Sequence, residues 1–370
     1  MNQSIAGVQT AGPQRNPWIK DPLFDWAFIH IGVILLPLVC LLRYAADFTF
    51  ERGYFLVMLL LWAGHHLTPI FLLYADRRVH DLAIRHAPKL KLGILATVVL
   101  PLAAYIAASG LYWETGRHTA WTYLPIAIVS LIYLLWSSYH ICAQHFGIMQ
   151  LYRKRMGLIS ADARNFEMKL FVITLTVLTI MIWFHNGVRD EFFAYYGIHF
   201  RFSPWFPMAM GGLLVTLMLG TLYRLKQRGE LRLQLALCYV QCFLLPIAML
   251  IYPLYITVFL YTGLHYIADI ALGSLMYSNL KAEPSHHKQN YWVYGTMLGL
   301  ILAGAAYYIF HHGLPFMQHH SIQPFGAMVN LDTIDRETFV LICTFCGLNM
   351  SMQFAHIYIS RPVYKSSEFL

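Results

Sequence analysis

Residues 139 to 155 read YHICAQHFGIMQLYRKR. An apolar run suited to lipid here carries His140, Gln144 and His145 close to a cationic end made of Arg153, Lys154 and Arg155. A helix that crosses the hydrocarbon core needs roughly 20 apolar residues. Ionisable side chains within such a helix are costly and usually face a partner or a cavity. The stretch therefore ties the fold of the chain to the purpose of its histidines.

The composition around it is that of a membrane protein. Of 370 residues, 58% are hydrophobic and 12% are charged, with a mean hydropathy of +0.53. Soluble domains carry about 25% charged residues, so most of this chain requires an apolar solvent. The net charge of +8 does not make a nucleic-acid footprint, because the basic residues fall in short clusters between apolar runs, as they do in membrane proteins. Nucleic acid is therefore excluded as a partner. The six cysteines, Cys40, Cys142, Cys238, Cys242, Cys343 and Cys346, all lie inside apolar runs, where they read as small packing residues and not as disulfides or zinc ligands.

Ten runs have spanning length: 24–47, 53–75, 92–113, 121–150, 168–187, 204–225, 232–252, 254–278, 291–311 and 337–359. Basic residues alternate between the connections. One side has Arg77, Arg78, Arg85, Lys89 and Lys91, then Arg153, Lys154, Arg155, Arg164 and Lys169, then Arg224, Lys226, Arg228 and Arg232, then Lys281 and Lys288. The other side has Arg52, Arg117, Arg189, Arg201 and Arg336. Excess Lys and Arg marks the cytoplasmic face. The expectation is an all-α, polytopic integral membrane bundle of about ten helices with both termini cytoplasmic, in a bacterial inner membrane. Residues 1–20 read as a polar tail without a cleavable signal peptide, and 21–370 as a single transmembrane domain.

With this topology drawn, the histidines gather toward one leaflet. His30, His65, His66, His140, His145, His265 and His356, together with Asp269, come from five spans and sit within a few helical turns of the basic interface, at about 1.5 Å of rise per residue. His265 and Asp269 are four apart and share a helix face, as do His140 and Gln144. Neutral imidazole is the commonest protein ligand for transition metals, and a bundle can build such a site from facing helices. Any one of these histidines also reads as a hydrogen-bonded bundle residue; the co-location of the set favours metal. Gln144, Gln353 and Tyr266 read as partners behind the ligands. Asp269 reads as a ligand or as a partner to a ligating histidine.

Other features carry blander expectations. His80 and His86, in ADRRVHDLAIRHAPK, and His286 and His287 read as residues of solvated loops on the basic side. His118, His185, His199, His311, His312, His319 and His320 fall on the opposite side. Gly295 and Gly299 mark a close helix contact. Tyr74, Tyr152, Tyr266 and Tyr277 occupy positions typical of interfacial anchors.

Several imidazoles with a carboxylate and no thiolate suit one or two non-haem iron ions, with another transition metal as the alternative. In its GHH, HxxxxH and HxxxD elements the chain resembles, at the level of class, the histidine-rich membrane oxygenases. These include fatty-acyl desaturases and hydroxylases, and bacterial membrane enzymes that cleave carotene. The HxxxH and HxxHH boxes of the desaturases are absent from this sequence. The resemblance implies an oxidoreductase with a cytoplasm-facing iron site, using molecular oxygen on a lipid-soluble substrate such as an acyl chain, isoprenoid or carotenoid. The basic face suits an acidic electron donor such as a ferredoxin. Two rivals remain: a proton- or metal-coupled transporter using Asp269 and the histidines, and a haem-binding electron-transfer protein. No span has histidines paired thirteen or fourteen apart, the spacing that would sandwich haem.

Overall fold

The protein is represented by a computed structural model that describes residues 16–35, 61, 64–74, 76–117, 119–184, 203, 205–251, 254–282 and 335–365. The run 291–311, the Gly295–Gly299 pair, Cys40, His118, His185, His199, His286, His287, His311, His312, His319 and His320 lie outside the described residues. Among the described residues all regular structure is helical and none is strand. A short turn, Pro22–Phe24, continues as a π-turn, Asp25–Ile29. The long elements are α1 (64–74), α2 (Arg77–His86), α3 (Leu90–Thr115), α4 (Ala120–Met156), α5 (Ala161–Phe184), α6 (Trp205–Gln227), α7 (Leu233–Ile251), α8 (Leu254–Ala282) and α9 (Arg336–Lys365).

Four of the described helical segments are long and apolar enough to cross a bilayer: Leu90–Thr115, Trp121–Met156, Met208–Gln227 and Phe339–Val363. Their outward faces explain why. Leu92, Leu95, Leu100 and Ile106 of α3 and Ile128, Ile132 and Leu135 of α4 are exposed, a stripe of apolar side chains that only acyl chains can cover favourably. The opposite face of α3, with Thr97, Pro101, Tyr105, Ala108, Ser109 and Tyr112, is buried at helical spacing. It packs against α9. Gly347 allows the approach there: a Cβ at that position would lie 3.0 Å from Tyr105 Cβ and 3.1 Å from Leu102 Cδ1. Beside Pro101, where the backbone ladder is weakened, Ser351 Oγ donates to the Val98 carbonyl at 2.7 Å.

Helix α4 is the spine of the described structure, packing on α3, α5, α7 and α9. The Thr119–Thr122 capping box starts it and Gly157 ends it in the left-handed conformation at φ 68. It continues well past the apolar run that ends at 150, so the opening YHICAQHFGIMQLYRKR is a single helix. Two expectations change as a result. Tyr152 is fully buried and is not an interfacial anchor, and Tyr266 is also buried; Tyr74 alone of the four tyrosines is widely exposed, at 66%. Arg153, counted above as a loop charge, is 1% exposed. Its guanidinium bonds Glu167 Oε1 at 2.5 Å and Glu230 Oε2 at 2.8 Å, and Gln150 and Tyr239 also donate to Glu167.

The basic segment after α1 is a helix as well, not the solvated loop expected. Asp76 caps α2 through the Arg78 backbone N–H, 2.8 Å, and Val79 and Ala83 bury against Leu72, Leu73, Ile359 and Val363. The spacing Val79–Ala83 is one helical turn, which the charges on the other face disguise. His86 faces out and His80 is half-buried. Burial alone would raise the Asp76 carboxyl, but hydrogen bonds from Arg78 outweigh it and hold the group below its ordinary value.

Candidate metal centre

Four helices each deliver one histidine to a common point: His65 from α1, His140 from α4, His265 from α8 and His356 from α9. Their donor nitrogens all lie within 4.8 Å of one another. His140 and His265 occupy the middle of their helices, His265 buried and His140 half-buried. His65, His265 and His356 are at most 1% exposed. The rings of His65 and His356 have centroids 4.0 Å apart, those of His65 and His265 4.5 Å, and those of His140 and His265 4.9 Å.

Buried polar atoms are nearly always hydrogen-bonded, and this group departs from that rule. Both ring nitrogens of His265 and the Nδ1 atom of His356 are buried without a hydrogen bond, while His65 Nδ1 faces the Asp269 carboxylate at 2.9 Å. The Nε2 atoms of His140 and His356 approach to 3.3 Å. With a metal–nitrogen bond of about 2.05 Å, the ligands of a tetrahedral site are separated by about 3.4 Å, so this edge already has the right length. Ring movements of about 1 Å would bring the wider separations into the same range. The group of residues therefore fits a metal ion.

The other expected residues fall around the four or away from them. His66 lies against His356, with ring centroids 4.8 Å apart. Tyr266 stacks on His65 at 4.3 Å and 23°, closing that side of the site. Asp269 is fully buried, with Oδ2 2.9 Å from His65 Nδ1 and Oδ1 accepting from Gln144 Nε2 at 2.9 Å. His145 also has a buried, unbonded Nε2, but it is not in the four-donor group. Gln353 donates to Asn349 along its own helix, 3.4 Å. Ser360 Oγ contacts His356 Nε2 at 3.2 Å.

His30 belongs to a different cluster. Its Nε2 is 3.0 Å from Tyr152 Oη, and Tyr152 donates to Asp25 Oδ2 at 2.5 Å. Asp25 also accepts the backbone N–H groups of Ile19 at 2.8 Å and Lys20 at 3.3 Å. Since the phenol proton goes to Asp25, the His30 nitrogen facing Tyr152 carries the hydrogen. Sequence reading passed over Asp25, Glu167 and Glu230. The available signal was the same one that marked Asp269: a carboxylate at or inside the edge of an apolar run.

Comparison with protein-family models, with curated proteins and with solved structures finds no match to the chain. Fold and site define its class on their own: an all-helical membrane protein with a buried four-histidine group able to hold a metal ion.

Proposed function

We propose that the chain is a membrane-embedded metalloenzyme, a non-haem iron oxygenase or desaturase acting on a lipid-soluble acyl chain, isoprenoid or carotenoid. The observation that carries this reading is the convergence of His65, His140, His265 and His356 from four helices, with buried nitrogens left without hydrogen bonds. Hydrogen-bonded bundle histidines would not leave so many ring nitrogens unpaired. Sites made of imidazole nitrogen without thiolate suit iron, copper and zinc, and iron is the one read here because it supplies the oxygen chemistry of an oxygenase or desaturase.

In this reading the four histidines hold the ion, and Tyr266 and Gln144 shape the wall around it. Iron bound there supplies the oxygen chemistry that attacks an unactivated C–H or C=C bond. The surrounding bundle excludes water, and the exposed apolar faces of α3 and α4 let a substrate arrive sideways from the lipid. Both termini and the basic helix ends face the cytoplasm of a bacterial inner membrane, where they offer an acidic ferredoxin-like donor a docking face. Residues 21–370 form one domain.

The test is metal analysis with an absorption spectrum on protein purified in detergent from iron-replete cells. One or two irons per chain, no Soret band, and loss of at least nine-tenths of the metal in His140→Ala, His265→Ala and His356→Ala are expected. Metal content that survives all three substitutions would remove the proposed site. Metal-free protein from an anaerobic, iron-replete preparation would favour the transporter reading instead.

A further inference from the structure

We infer that Asp269 is not a metal ligand but the residue that positions His65, with Gln144 as its anchor. The inference rests on the metal-centre reading above and adds to it which nitrogen of His65 faces the ion.

Asp269 is completely enclosed. One of its oxygens accepts from Gln144 Nε2 at 2.9 Å, and the other lies 2.9 Å from His65 Nδ1. The four histidine donors form a mutual group from which Asp269 is absent. A bare ring nitrogen and a carboxylate oxygen at that separation would repel each other in a dry interior. A proton between them removes the conflict. Gln144 Nε2 already donates to one carboxylate oxygen, which leaves the other as the acceptor facing His65 Nδ1; a proton on Nδ1 then leaves Nε2 the lone pair that binds metal. The contact is not yet aligned as a hydrogen bond; rotation about the Cβ–Cγ bond, a soft torsion for histidine, aligns it.

The helices supply this arrangement in a regular way. On α4, His140 is followed one turn later by Gln144; on α8, His265 is followed one turn later by Asp269. Each helix thus contributes a histidine to the group and, on the same face, one half of a clamp. The clamp joins α4 and α8 and grips the histidine carried by α1, so three of the four helices that build the centre are locked together by one carboxylate.

Titration of the detergent-solubilised, metal-free protein with cobalt(II) alone tests the assignment, because the visible d–d bands report the ligand set. Asp269→Asn should keep the wild-type band positions and bind cobalt about 10- to 100-fold more weakly, as expected when an outer partner of a ligating histidine is lost. Gln144→Ala should weaken binding in the same direction, and the double variant should be no worse than Asp269→Asn alone, since both act through one oxygen pair. Altered band position or intensity in Asp269→Asn would make Asp269 a ligand and overturn the inference, as would unchanged affinity. Should Asp269→Asn fail to fold, Gln144→Ala decides by the same two readouts. Wild-type protein that binds no cobalt would instead count against the metal centre itself. In that event nitrogen-15 NMR of labelled histidine in the apo protein reads the tautomer directly, with the His65 signal identified by its loss in His65→Asn. A proton on Nδ1 that shifts toward Nε2 in Asp269→Asn upholds the clamp, and a wild-type proton on Nε2 overturns it.

Discussion

Tyr152 and Arg153 are neighbours on α4, both enclosed, and each closes a different polar cluster. Tyr152 Oη bridges the side chains of His30 and Asp25, whose backbones are joined by the His30 N–H donating to the Asp25 carbonyl at 2.8 Å. In Tyr152→Phe both side chains lose that bridge and stay buried, so unfolding in detergent should be easier by about 1–3 kcal/mol, read as a lowered thermal midpoint. Arg153→Met removes the cation that pairs with both Glu167 and Glu230. Stranding buried carboxylates costs about 3–5 kcal/mol, a larger drop in the same measurement. If Arg153→Met proved as mild as Tyr152→Phe, the Arg153 cluster would have to be far more hydrated than it is here. Only the position of these residues in the chain was open to sequence reading. Tyr152 lies where anchoring tyrosines lie, and Arg153 begins a cationic cluster. Their burial depends on Asp25, Glu167 and Glu230, which come from other elements.

Among the elements, the α3–α9 contact is the most specific. Gly347→Val places atoms against the backbone-proximal Tyr105 Cβ and should destabilise by about 1–3 kcal/mol through overpacking. Gly110→Ala on the same α3 meets nothing within 4 Å and should be tolerated, so the pair separates close packing from a general dislike of side chains at these glycines. Helix α2 offers a pH handle. The folded Asp76 carboxyl is held below its ordinary value, so its contribution is present above the unfolded carboxylate pKa and is lost as pH falls through the folded one. Asp76→Ala should lower stability at neutral pH by about 1 kcal/mol, the usual worth of an N-cap. The difference from wild type should vanish in acid. An effect of Asp76→Ala that persists at the lowest pH would mean the carboxylate is not its source.

For the molecule as a whole, the basic helix ends and the Gly116–Arg117 turn lie at opposite ends of α4, and this orientation can be measured. A membrane-impermeant maleimide added to intact cells should label Arg117→Cys and leave Arg228→Cys unlabelled until the membrane is opened. The reverse pattern would invert the proposed topology. Cys142, Cys238 and Cys343 are buried but Cys242 and Cys346 only partly so, so both substitutions are made in a variant whose native cysteines are replaced by Ala.

Composition and the length of the apolar runs determined that this is a helical membrane protein, because a backbone in lipid must satisfy its own hydrogen bonds and twenty apolar residues in a row have few other solvents. Periodicity also put His140 with Gln144, and His265 with Asp269, on shared helix faces, since one helical turn is a local property. Which histidines meet was decided only by tertiary packing. His65, His140, His265 and His356 are brought together, while His30, with the same apparent depth, is claimed by Tyr152 and Asp25. Depth along a helix is written in the sequence, but the direction in which a helix turns its face is set by the neighbours it packs against.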